Sequence, residues 1–141
     1  RYNSFPGELV PIFKRSGLAG LNVPKRFGGM GADLWTTARC VQELAKGAPA
    51  CTLGFNMRLG VVGFFRGMWS EADQQRFFPQ VARDGALLDG VYSEARAGVI
   101  GLPDTLARPV VGGWRVSGRK TWGTLSLAAD FHTFNVTLTD P

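Results

Sequence analysis

The sequence has no apolar run approaching the roughly 18 residues that a membrane-spanning helix needs, so no span is expected and a water-soluble protein is. Only two cysteines occur, Cys40 and Cys51. They make neither a metal spacing nor a disulfide framework, which points to a reducing, cytoplasmic compartment and to thiols behaving as small buried hydrophobes. The single histidine, His132, lies between Phe131 and Thr133 with no evident partner to orient it. Such a histidine is ordinarily structural or superficial, because acid–base work needs a partner that fixes the ring. No nucleophile elbow, Walker loop, metalloprotease helix or His/Cys cluster is present, so hydrolase and metalloenzyme readings lose support and no metal site is expected. Charge runs are missing too. The 16 Lys and Arg outnumber 11 Asp and Glu, yet never stand more than two in a row. The net charge of +5 therefore favours anions diffusely, and no nucleic-acid interface is expected.

What is there is a chain of 141 residues, 45% hydrophobic and 19% charged, enough to bury a sizeable core as one ordinary domain or two small ones. Its first half reads as helices. Leu9, Ile12 and Phe13 fall at helical spacing until Gly17 stops them. A short apolar stretch then meets Pro24 and the glycine cluster Phe27 to Gly31. That cluster superficially suggests a phosphate cradle, but a dinucleotide fingerprint opens from a strand into a helix, and here helices surround it; a tight turn is expected. Asp33 is placed to cap a helix whose apolar stripe is Trp35, Ala38, Val41, Leu44 and Ala45, with Gly47 as its stop. A second helix spans about Ala50 to Gly67 despite Gly54, Gly60 and Gly63, each costing about 0.8–1 kcal/mol relative to alanine, so it needs support from neighbours. A third starts at Ser70 with a capping pattern reaching Asp73 and runs to about Arg83.

The period then changes. Ala86 to Tyr92 is short and apolar, Thr105 to Val111 meets Gly112 and Gly113 as a hairpin, and Phe131 to Leu138 reads as one further strand. The composition shift near Asp84 and Gly85 divides the chain into a helical part, residues 1–84, and a β part, residues 85–141. The chain begins at Arg1 and stops directly after a strand with no later partner, so a fragment of something longer, with an unfinished sheet, is expected.

The segments that point to chemistry are Tyr92-Ser93-Glu94-Ala95-Arg96-Ala97-Gly98 and Lys120-Thr121-Trp122-Gly123-Thr124. Taken singly, Trp122 reads as a core aromatic on a sheet face, and Ser93 and Thr124 as turn hydroxyls. Taken together they offer a flat aromatic surface and two short donors at strand ends. That set suits a planar heteroaromatic ring such as a flavin, whose buried edge atoms need hydrogen bonds because each unpaired one costs about 1–3 kcal/mol.

The stretches GLAGLNVPKRFGGMGADLWTTARCVQELAKG, TLGFNMRLGVVGFF, SEARAG and GGWRVSGRKTWGTLSLAADF, in that order over nearly the whole chain, resemble the N-terminal helical domain and the start of the middle β-domain of the acyl-CoA dehydrogenase family. The resemblance implies an α+β fold, with a portion of a helical bundle followed by an antiparallel β-barrel or sheet domain that is incomplete in this chain. It implies a non-covalent FAD, with Ser93 and the Tyr92 main chain at the pyrimidine edge, Trp122 and Gly123 beside the ring and Thr124 at its reactive nitrogen. It implies α,β-dehydrogenation of an acyl-CoA or acyl-carrier thioester as in fatty acid metabolism, an electron-acceptor protein as partner, and a homodimer or homotetramer.

By the same resemblance, Gly98, Val99 and Phe55 border the substrate, and Glu94 is structural. The catalytic base belongs to a C-terminal helical domain that this chain lacks, so no catalytic residue is assigned and the chain alone should not turn over. Departures from the family pattern are Ala95 in place of proline, and Val99 in place of a serine that holds the CoA portion. Arg58 and Phe55 read equally as pocket residues or as a snorkelling arginine and a core phenylalanine. The Val99 departure keeps open a flavin-dependent monooxygenase or oxidase of the same fold; a non-enzymatic binding or scaffold module that has the architecture without the flavin is a separate alternative.

Overall fold

The computed structural model describes residues 7–96 and 102–139. Gly98 and Val99 lie outside the described residues. Helix α1, Leu9–Arg15, is followed by two single 3₁₀ turns, Leu18–Gly20 and Lys25–Phe27. Three long helices come next: α2 Leu34–Gly47, α3 Pro49–Met68 and α4 Glu71–Arg83. Five short strands complete the order: β1 Leu88–Gly90, β2 Leu106–Val110, β3 Gly113–Ser117, β4 Phe131–Thr133 and β5 Thr137–Leu138. The fold is α+β, and among the described residues the strands form a two-stranded and a three-stranded sheet with no closed barrel.

Local chemistry sets the helix starts. Asp33 accepts the amide of Thr36 at 2.7 Å, and Ser70 accepts that of Asp73 at 3.1 Å, each satisfying a donor that the first helical turn leaves free. Replacing Ser70 by alanine is expected to cost about 1 kcal/mol, read as a lower urea midpoint at unchanged slope. The glycine cluster is a turn. The amides of Met30, Gly31 and Ala32 donate to the carbonyls of Gly20, Val23 and Leu21, each at 2.9 Å, so they are spent inside the loop and cradle no phosphate. A β-carbon on Gly29 would run into the Val23 carbonyl, which explains why glycine stands there.

Several expectations are corrected. Only Thr37 of α2 is fully buried, and Trp35 in the apolar stripe is 73% exposed. Ala38 is exposed as well, whereas Val41, Leu44 and Ala45 are half-buried, so the stripe is covered only along its C-terminal part. Cys40 and Cys51 are half-buried rather than buried. The hairpin of β2 and β3 forms through a turn with Gly112 at φ +82, but every residue of β3 is exposed, so its alternation marks no buried face. The single strand expected over Phe131 to Leu138 is two: β4 pairs β1 and β5 pairs β2, in different sheets. Both pairings are parallel, so the two-stranded sheet is parallel and the three-stranded sheet mixed, rather than antiparallel throughout.

Two apolar cores hold these pieces. Val23, Phe27, Val61, Val62, Phe78 and Val81 close around Leu88 of β1. Phe13, Ala19 and Phe55 close around Leu87, with Leu125 and Ala128 packed against them. Residues on both sides of the 84/85 boundary therefore share each core. Asp130 adds to the seam: it accepts the Leu87 amide at 2.7 Å and pairs with Lys14 at 2.6 Å.

Candidate functional site

Strand β1 carries the first candidate segment. Its Leu88 side chain anchors it in the core against α3 and α4, and its register with β4 places Leu88 opposite Phe131, Asp89 opposite His132 and Gly90 opposite Thr133. Beyond β1 the chain continues to Tyr92, whose hydroxyl meets Thr133 Oγ1 at 2.8 Å; burial raises its pKa above the ordinary tyrosine value. Ser93 then forms an isolated antiparallel bridge with Thr121, whose amide donates to the Ser93 carbonyl at 2.9 Å. Sequence-distant segments are thus joined one residue before Trp122.

Trp122 does not lie in a core. Its indole is 85% exposed and its φ is +59. Leu125, three residues on, has φ +68. Bulky side chains rarely adopt the left-handed region, and each such residue costs on the order of 1–3 kcal/mol, an expense found where function fixes the backbone. The loop between them is held by its own bonds: the Thr124 amide donates to the Trp122 carbonyl at 3.0 Å and that of Ser126 to the Gly123 carbonyl at 3.1 Å. Thr124 and Ser93 are half-buried, and neither hydroxyl is bonded among the described residues. An exposed flat ring and two uncommitted donors therefore flank one bridge.

Glu94 is committed elsewhere. Its carboxylate accepts from the amide and hydroxyl of Thr105 at 3.0 and 2.6 Å and from the Asp104 amide, and pairs with Lys120 at 2.7 Å. The Lys120 and Thr105 bonds outweigh its burial and hold the carboxyl down to about 2. A group so bonded joins the loop after β1 to the start of β2 and to the segment leading to Trp122; it is structural and no base.

Phe55 is 8% exposed, with its ring stacked on Phe13 at 3.7 Å between centroids and 6° between planes. It is at once a core residue and part of the wall of a cavity that Thr124 also lines. Arg58 does not snorkel. It is 1% exposed, donates to the Ala19 carbonyl, and leaves Nε and Nη1 without partners among the described residues. Sequence reasoning missed the partner of His132: its Nδ1 lies 2.9 Å from Asp89 Oδ1. Burial raises the pKa of Asp89, against the opposing pull of His132. Among the described residues no cluster of metal-ligating side chains occurs, and no helix is long and apolar enough to cross a membrane.

The sequence model of the acyl-CoA dehydrogenase N-terminal domain matches residues 1–85. A probable acyl-CoA dehydrogenase of Mycobacterium tuberculosis is 30% identical over 140 residues, 97% of this chain and 35% of that protein. Isobutylamine N-hydroxylase of Streptomyces viridifaciens is 29% identical over 138 residues, 94% of this chain and 36% of that protein. Among solved structures, FMN- and indole-bound TdsC from Paenibacillus sp. A11-2 superposes on 95% of this chain and 33% of its own, with a TM-score of 0.83 at 24% identity. The chain thus spans about a third of the length of the relatives it matches.

Proposed function

The chain belongs to the acyl-CoA dehydrogenase family, and from that premise we propose that it forms the helical and first β segments of an FAD-dependent oxidoreductase that desaturates an acyl thioester between its α and β carbons. The observation that carries this reading is the exposed, left-handed Trp122 beside the Ser93–Thr121 bridge. The residues present fit a flavin. Trp122 offers its face to a ring that would remove the indole from water, and the Ser93 and Thr124 hydroxyls are free to satisfy polar atoms on the ring's edge. When bound, such a ring supplies an acceptor for a hydride.

The roles follow. Ser93 and the Tyr92 main chain hold the pyrimidine edge, Gly123 lets the backbone come close, and Thr124 donates near the hydride acceptor. Phe55, with Gly98 and Val99, borders the substrate. The thioester carrier, an electron-acceptor protein and a dimeric or tetrameric assembly belong to the same reading. FAD is proposed over FMN, although TdsC is an FMN-bound neighbour.

Replacing Trp122 by alanine is expected to weaken flavin binding at least ~10-fold, a loss of about 1.4 kcal/mol. Quenching of flavin fluorescence on titrating FAD, and separately FMN, into the full-length protein measures it. Unchanged affinity would remove the indole from the site. Colourless protein that takes up neither flavin would favour a scaffold module.

A second reading, a flavin-dependent monooxygenase or oxidase, draws on the similarity to an N-hydroxylase and on Val99, which offers no donor to a CoA tail. Turnover of the full-length protein without oxygen, sustained by an artificial electron acceptor, is expected of the dehydrogenase. Turnover that stops without oxygen is expected of the second.

A further inference from the structure

A cavity of about 180 Å³ opens between the first turns of α3 and the loop after Trp122, and it is bordered by Cys51, Gly54, Phe55, Leu125 and Thr124. Among the described residues that line it, the only side-chain hydroxyl is that of Thr124, and the other side chains are hydrocarbon or thiol. Water gains little there, because a solvent molecule in a site needs two to four polar partners. Its walls are also fixed. The Phe55 ring is stacked on Phe13, and the Leu125 side chain reaches so close to Gly54 that a β-carbon there would stand 3.0 Å from Leu125 Cδ2. Neither wall swings aside without opening the core around Leu87.

We propose that this cavity receives the apolar group next to the reacting carbon and limits it to about the size of one benzene ring or a branched chain of about six carbons, with Phe55 and Leu125 setting the limit. The size follows from the volume, since an apolar cavity of about 150 Å³ stays dry and admits benzene. The substrate class is therefore short, branched or monocyclic rather than long and linear. The assignment of the cavity to substrate rests on the flavin reading, because Thr124 is the residue that joins the two.

The experiment has two arms on the full-length protein. In the first, benzene and naphthalene are titrated without regard to flavin and thermal unfolding is followed. Benzene is expected to raise the midpoint by about 2 °C and naphthalene to leave it unmoved. Cys51→Phe should abolish the benzene shift by filling the space, and Leu125→Ala should let naphthalene shift the midpoint as well. Both changes spare the Phe13–Phe55 stack. An equal response of the unsubstituted protein to the two probes, or a benzene shift that survives Cys51→Phe, overturns the size limit whether or not flavin binds.

In the second arm, butanoyl-CoA and dodecanoyl-CoA are titrated into flavin-loaded protein, and perturbation of the flavin absorption band is read. The shorter thioester is expected to perturb the band at concentrations at least ~10-fold lower. Equal response to both overturns the limit and leaves the flavin reading standing. Absence of a flavin band, with the first arm as expected, removes the flavin reading and leaves an apolar cavity of the stated size.

Discussion

Replacing Arg58 by methionine is expected to stabilise the protein by about 2–4 kcal/mol, read as a higher urea midpoint at unchanged slope. The guanidinium lies 1% exposed in the middle of α3, with the Ala19 carbonyl as its one hydrogen-bond acceptor and two nitrogens unpartnered among the described residues. A buried charge without an anion keeps the cost of leaving water and recovers little of it. Methionine fills a comparable volume, has no charge to desolvate and adapts its shape to the gap. Burial pushes the Arg58 guanidinium well below its ordinary value, to about 9. For a base lowered in this way the burden is complete below about 9 and is relieved as the pH climbs from there toward the ordinary guanidinium range. The unsubstituted protein should therefore gain stability over that window relative to Arg58→Met. A variant less stable than its parent at neutral pH would overturn this expectation.

Glu94→Ala should act in the other direction, lowering the unfolding midpoint by more than ~10 °C. Removing the carboxylate leaves the Lys120 ammonium, 12% exposed, with the Asn135 amide oxygen at 2.7 Å but no counter-charge, and leaves the Thr105 hydroxyl and two amides without their acceptor. Breaking such a set is costlier than never having made it, because each remaining group stays out of water. Glu94→Gln keeps the shape and loses the charge. The Glu94 carboxyl is held near 2 against an ordinary 4.5, so its contribution is complete above about 4.5 and drains away as the pH falls toward about 2. Urea midpoints across that interval should fall more steeply for the parent than for Glu94→Gln; parallel curves would mean that the charge contributes nothing.

These two residues show what the sequence tells and what it withholds. Features written within a few residues are legible. Asp33 and Ser70 announce their helices because a cap reads only three positions ahead, and Gly112 announces its hairpin because a tight turn needs a left-handed residue. Pairings across long separations are not. Nothing near His132 indicates Asp89, 43 positions earlier, and nothing in Phe131 to Leu138 says that its two ends join different strands. The openness of Trp122 was equally hidden, since an aromatic in a β-rich stretch reads as core. Its left-handed backbone is visible only once the loop is built. Arg58 was readable as odd but not as buried, because an arginine on a helix ordinarily reaches for solvent.

The sharing of Leu87 and Leu88 between the helices and the strands bears on how the chain tolerates interruption. A nick after Asp84 would give two fragments, each holding an open half of the same interior, and neither could hide its apolar surface alone. Folding would then depend on the fragments finding each other, and the place where the composition changes would behave as a complementation point rather than a hinge.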